Sequence, residues 1–182
     1  MRPVRVRMIG GDAGEWRIER ILPVIGRGLP GCARLSQVED GEARAGAFCL
    51  EGVRTHERYV EHAEHERLAA VQPQLSRPDS SRAVLIPLSK SEEWWELAQD
   101  ERRHILATRS RHIEEGLRRL PAIARRLYHG REIGAEFDFL TWFEFAPDAE
   151  PAFDELLAHL RGSEEWRYVV REVEVRLARD PR

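Results

Sequence analysis

AIARRLYHGREIGAEFDFLTWFEF, residues 122–145, is the stretch whose reading decides the fold. Residues 122–129 alternate apolar and polar side chains, the period-2 pattern of a strand. The alternation places Arg125 between Ile123 and Leu127 on one face and sends Arg126 to the other. A turn region over Gly130–Gly134 leads into residues 136–145, which are dense in aromatic and β-favouring types. Phe137, Phe139, Phe143 and Phe145 are expected to share a face there.

Helices flank this pair of strands. Upstream, helical patterning runs from about Glu92 to Leu120, with a break near Thr108–Ser110. Ser91 is placed to cap it, Glu92 and Glu93 sit in its positive first turn, and Pro121 ends it because proline cannot donate the next hydrogen bond. Before that helix, RAVLIPLS (82–89) reads as a short buried strand. Downstream, Pro147 and Asp148 open a helix carrying Phe153, Leu156, Leu157 and Leu160, and WRYVVREVEVRL (166–177) alternates as a long last strand. The order β-α-β-β-α-β is the ferredoxin-like pattern, an antiparallel sheet with two helices on one face.

The N-terminal half reads as a reduced copy. Residues 3–9 and Gly46–Val53 pattern as strands and Thr55–Val71 as a helix, while the Gly-, Arg- and Ala-rich 26–45 is expected to be loop. The expected fold is therefore α+β: two ferredoxin-like (βαββαβ) halves of the dimeric α/β barrel type, the N-terminal one reduced. The turn-rich RPDSS (77–81) divides residues 1–80 from residues 81–182.

Composition narrows the function. The 182 residues are 42% hydrophobic and 34% charged, which fits a soluble chain able to bury a core. A net charge of -3 argues against a nucleic-acid or anionic-membrane binder. No apolar run is long enough for a secretory signal or a membrane span. Cys32 and Cys49 form no CxxC and are expected as buried, reduced thiols, so the cytoplasm is the expected compartment.

Several motifs invite chemistry. Gly26, Gly28 and Gly31 spell GxGxxG, but Pro30 and the loop-like residues beyond do not open the helix a dinucleotide needs. His56, His62 and His65 lie in a Glu- and Arg-rich helix that fits solvent better than zinc, which needs three or four convergent ligands. Trp94 and Trp95 point about 100° apart on a helix, so one is expected in the core and the other against a neighbouring subunit or a flat ligand. His112 falls on an inward face with Ile105, Thr108, Gly116 and Leu120, and Gly116 leaves space beside the ring. Glu164 and Glu165 are placed to offer a carboxylate to the other nitrogen of a ligating histidine. Arg125 is rarely of a type to be buried without an anion or carboxylate.

The collinear run SEEWW, ER, RHI, LPAIARRLYHGREIG, FDFLTWFEF and LRGSEEWRYVVREVEVRL closely resembles the chlorite dismutase family of haem b proteins. GGDAGEW, LPVIG, HERYVEHAE and VQPQL extend the likeness over nearly the whole chain, in the form of the family's short, dimeric branch. The resemblance implies haem b in the C-terminal half, a homodimer, and decomposition of chlorite to chloride and dioxygen as a detoxifying reaction. It implies His112 as the proximal iron ligand, Glu165 as the carboxylate on that ligand, and Lys90 in the proximal network. Arg125 matches the distal arginine and Gln72 the glutamine that holds it, while Tyr59 and Trp95 match positions near the haem edge and propionates. Coproheme decarboxylases resemble the chain in fold and proximal histidine but lack the distal arginine. A decarboxylase role and a non-catalytic haem carrier or sensor are the alternatives.

Overall fold

A computed structural model describes residues 4–41, 45–54, 73–119 and 122–180, and for residues 112, 113 and 117 the backbone alone. Eight strands close into one barrel: β1 (Val4–Gly11), β2 (Trp16–Ile25), β3 (Arg34–Glu39), β4 (Phe48–Arg54), β5 (Arg82–Lys90), β6 (Ile123–His129), β7 (Phe139–Phe145) and β8 (Val169–Arg179). Their order around the barrel is β1-β3-β2-β8-β5-β7-β6-β4, and every pairing is antiparallel. Read from β8, the C-terminal four run fourth, first, third, second, and the N-terminal four, read from β4, run the same way. Closure at β2–β8 and β4–β6 leaves no free sheet edge among these strands. The helices are α1 (Glu92–Glu96), α2 (Gln99–His104), α3 (His112–Arg119) and α4 (Glu150–Arg161).

Two cores follow from the period-2 alternation. Inside the barrel, Val6, Met8, Trp16, Leu35, Leu50, Leu85, Tyr128, Trp142 and Val175 pack together. On the outer face of the C-terminal strands, Val84, Ile86, Leu88, Ile123, Phe143 and Phe145 meet Phe153, Leu156, Leu157 and Leu160 of α4. Phe153 stacks on Phe145 with centroids 4.9 Å apart and meets Phe143 edge-on at 5.0 Å. The polar positions of β8 also turn toward α4. Glu172 and Glu174 are buried, and Arg161 donates to both, at 2.6 and 2.8 Å. Trp166 Nε1 donates to the other oxygen of Glu172 at 2.8 Å, so these carboxylates lie buried and paired rather than solvated.

Several expectations need correction. Residues 26–45 contain a strand, β3, because Leu35 enters the barrel core and Arg34–Glu39 pairs with β1; β2, before it, was unforeseen. The helix expected over 92–120 does break near Thr108–Ser110, but it is in more pieces than that: α1 and α2, then a π-helical turn at Ile105–Arg109, then α3. Ser91 holds the N-cap position of α1, but its side chain makes no capping bond. The last strand begins at Val169, since Glu164–Tyr168 forms a 3-10 turn. Phe137 precedes β7 and joins the barrel core, so only Phe139, Phe143 and Phe145 follow the outer face. Cys32 and Cys49 are free thiols but half-buried, not buried. Gly26 ends β2 without opening a helix, which disposes of the GxGxxG reading. The helix expected over 55–71 with His56, His62 and His65, and the Pro121 stop, lie outside the described residues.

The turn between β6 and β7 needs a glycine. A Cβ on Gly130 would sit 2.1 Å from the Phe137 carbonyl oxygen, a backbone atom that cannot step aside. Gly130→Ala is expected to lower stability by about 3 kcal/mol, as forced overpacking does. Urea denaturation checks this, and an unchanged midpoint refutes it.

Candidate functional site

The site is built where β5 ends, α3 begins and the Glu164–Tyr168 turn crosses between them. Strand alternation puts Lys90 on the face already occupied by Val84, Ile86 and Leu88. Its pairing shifts register between Ser89 and Lys90, an irregularity of the kind that re-aims a side chain. The ammonium lies 2.7 Å from Glu165 Oε1, with side-chain exposures of 2% and 6%, so this is a truly buried ion pair. It also rests 3.8 Å from the centre of the Trp94 ring. Burial pushes the Lys90 pKa below its ordinary value, and Glu165 and then Asp138 oppose that shift.

Adjacent glutamates thus separate by environment. Glu165 is buried against Lys90, whereas Glu164 pairs at the surface with Arg109 at 2.7 Å. Residue pattern leaves both open, and the family resemblance singles out Glu165.

Ser110 ties this pair to the start of α3. Its hydroxyl accepts from the Glu165 backbone N–H at 3.0 Å, and its carbonyl lies 3.0 Å from His159 Nε2 on α4. Arg111 follows with φ 47°, an uncommon conformation for a residue with a side chain, and α3 starts at His112. The count that placed Ile105 and Thr108 on the His112 face therefore fails, because the helix is interrupted between them. The forward count to Gly116 stays within α3, and a Cβ on Gly116 would have no heavy atom within 4 Å. The helix is held against α4 by Arg119 Nε, which donates to the Ala152 carbonyl at 3.1 Å. It therefore lies on α4's side of the sheet.

Arg125 lies on that same side. It shares its strand face with Ile123 of the α4 core and stands opposite Phe143 in register. Arg126 points the other way and lines a cavity of about 480 Å³ at the barrel mouth with Trp16, Gln37 and Glu144. Trp94 is buried, 5.4 Å from Tyr168. Trp95 stacks on Phe139 at 5.8 Å and carries Arg131 at 4.4 Å, so its stacking partners come from within the chain. Tyr59 and Gln72 lie outside the described residues.

Known proteins resemble the chain in sequence and in fold. The family described as chlorite dismutase matches over residues 35–180. The chain is 48% identical to a dimeric chlorite dismutase from Nitrobacter winogradskyi, with 96% of this chain and 99% of that one covered and a TM-score of 0.91. The chain belongs to the chlorite dismutase family. It is an enzyme of that family by descent and by fold. A variant chlorite dismutase from Candidatus Nitrospira defluvii, solved with cyanide, covers 98% of the chain and 91% of its own at 18% identity and a TM-score of 0.66, a likeness of fold alone.

Family members use haem, and the residues present fit that group. A histidine begins α3, the backbone N–H of Glu165, whose carboxylate has its own counter-ion, bonds to Ser110 two residues before that helix, and Arg125 stands on the sheet face of the same layer. Two contributors escaped sequence reading. In sequence Ser110 reads only as part of a helix break. Asp138 is a buried carboxylate inside an aromatic run, and that odd placement in FDFLTWF was the available signal.

Proposed function

We propose that the chain decomposes chlorite to chloride and dioxygen with haem b as cofactor, and that His112 would hold its iron. The observation that carries this reading is the buried Lys90–Glu165 pair, bonded through the Glu165 backbone to Ser110 just before α3, on the same side of the sheet as Arg125. Glu165 would accept from the second imidazole nitrogen of a ligating His112, fixing its tautomer and raising its basicity. Lys90 neutralises Glu165 and keeps it an acceptor in a buried place. Arg125 offers a permanently charged planar fork to a small oxyanion. Gln72 is assigned to hold that fork in place, and Tyr59 and Trp95 to the haem edge. Haem supplies redox-active iron for oxygen-atom exchange when bound. The conversion of ClO2⁻ to Cl⁻ and O2 balances without an outside electron donor. Keeping the chlorine-bearing fragment beside Arg125 is a proximity effect.

The repeated strand order supports two ferredoxin-like halves, residues 1–80 and 81–182, with the haem in the second. A homodimer accords with the dimeric relative from Nitrobacter winogradskyi. Free thiols accord with the cytoplasm. Among the described residues no helix is long and apolar enough to cross a membrane.

An oxygen electrode tests the reading directly. Chlorite added to haem-loaded protein is expected to release O2 at once; tight haem binding without O2 indicates a carrier or sensor. Conversion of coproheme with peroxide, and little O2, indicates a decarboxylase. Arg125→Ala is expected to keep haem and lose about 10²-fold in O2 evolution, as removal of one preorganised charge-stabilising donor does. Wild-type turnover in that variant sinks the role given to Arg125.

A further inference from the structure

Lys90 and Trp95 meet at one atom. Asp138 Oδ2 accepts the Lys90 backbone N–H at 2.8 Å and the Trp95 indole N–H at 3.3 Å. Its other oxygen lies 3.7 Å from the Arg131 guanidinium, which in turn covers the Trp95 ring. Asp138 is itself buried, at 8% exposure, and its own carbonyl accepts from Gly130 N–H at 2.8 Å, so it is anchored at the turn that starts β7. The bond to Lys90 falls where β5 shifts register, at the residue whose side chain must reach Glu165. A carboxylate here is costly unless its bonds are made, and both donors are groups the site needs in fixed places.

We infer that Asp138 is a positioning residue, which sets the Lys90 ammonium on Glu165 and the Trp95 indole at the site's edge through one shared oxygen. The inference rests on the haem reading above and deepens it. Without the anchor at Lys90 N, the ammonium moves off Glu165. A less neutralised Glu165 is a stronger acceptor, so a ligating His112 would gain electron density and lower the potential of the iron it holds.

Asp138→Asn and Asp138→Ala remove the same charge, but only the asparagine keeps an oxygen able to accept both bonds. The measurement is the ferric/ferrous midpoint potential of the haem-loaded variants. The alanine variant is expected below the asparagine variant, and the gap is expected to vanish in a Lys90→Met background, where there is no ammonium left to place. Equal potentials, or a gap that survives in Lys90→Met, overturn the role. Should the alanine variant not refold, Asp138→Thr serves, since a threonine hydroxyl cannot reach both donors.

Haem-free protein supplies a second readout. Asp138→Ala is expected to red-shift tryptophan emission relative to Asp138→Asn, and not to do so in a Trp95→Phe background; no shift overturns the shared joint. If His112→Ala keeps normal haem ligation, the site reading falls and takes this role with it, even where the emission shift shows the joint.

Discussion

Glu165→Ala is expected to cost about 3–5 kcal/mol of folding stability, because it leaves the Lys90 ammonium buried and unpaired. Lys90 has 2% side-chain exposure, so solvent cannot take over the role of Glu165. Urea denaturation of haem-free protein checks the loss, and keeping haem out separates it from ligand binding. The double variant Lys90→Met, Glu165→Leu is expected to regain most of that stability, since replacing a buried pair with apolar groups of similar volume is often neutral. A single variant as stable as the parent would show that the pair is not buried as described.

The same variant has a signed pH dependence. Burial already lowers the Lys90 pKa, and Glu165 is the first of the groups that oppose this. Removing Glu165 lowers it further. Between that lowered folded value and the ordinary lysine value of about 10.4, the unfolded chain holds a proton that the folded chain has lost. Stability therefore rises with pH across this window. The deficit of Glu165→Ala is expected to shrink as pH approaches the upper end, and a deficit that grows there contradicts the assignment.

The second large effect is on the cofactor. His112→Ala, loaded with haem under conditions that fill the parent, is expected to lack the parent's Soret band and to release no O2 from chlorite. Loss of a single axial imidazole removes the only protein bond assigned to the iron, so the effect is close to all or none. Full occupancy with unchanged ligation would falsify the placement of the iron on α3.

These expectations divide by origin. Strands β5, β6 and β7 were legible because RAVLIPLS and FDFLTWFEF are apolar, β-favouring runs of strand length and AIARRLYH carries a period-2 pattern. Helix α4 was legible from Pro147 and its leucines for the same reason at a different period. Strand β3 was not, because RLSQVE places only Leu35 deep in the barrel and sits in a Gly-rich stretch that reads locally as loop. Its strand character comes from pairing with β1, a contact that no local pattern records. The break before His112 was legible in place, near Thr108–Ser110, but not in form: a π-helical turn over Ile105–Arg109 precedes Ser110, whose hydroxyl accepts from Glu165 N–H and whose carbonyl lies against His159.

The site shows the same division. By itself the sequence determined the family likeness, the opposite facing of Arg125 and Arg126, and the pool of candidates His112, Lys90, Glu164 and Glu165. Tertiary structure alone decided that Lys90 pairs directly with Glu165 while Glu164 pairs at the surface with Arg109, and that Asp138 joins Lys90 to Trp95. The reason is physical. Side-chain periodicity is a property of neighbours along the chain, whereas the partner of a buried charge is chosen by whatever the fold brings within about 3 Å of it, here from residues 48 and 75 positions away.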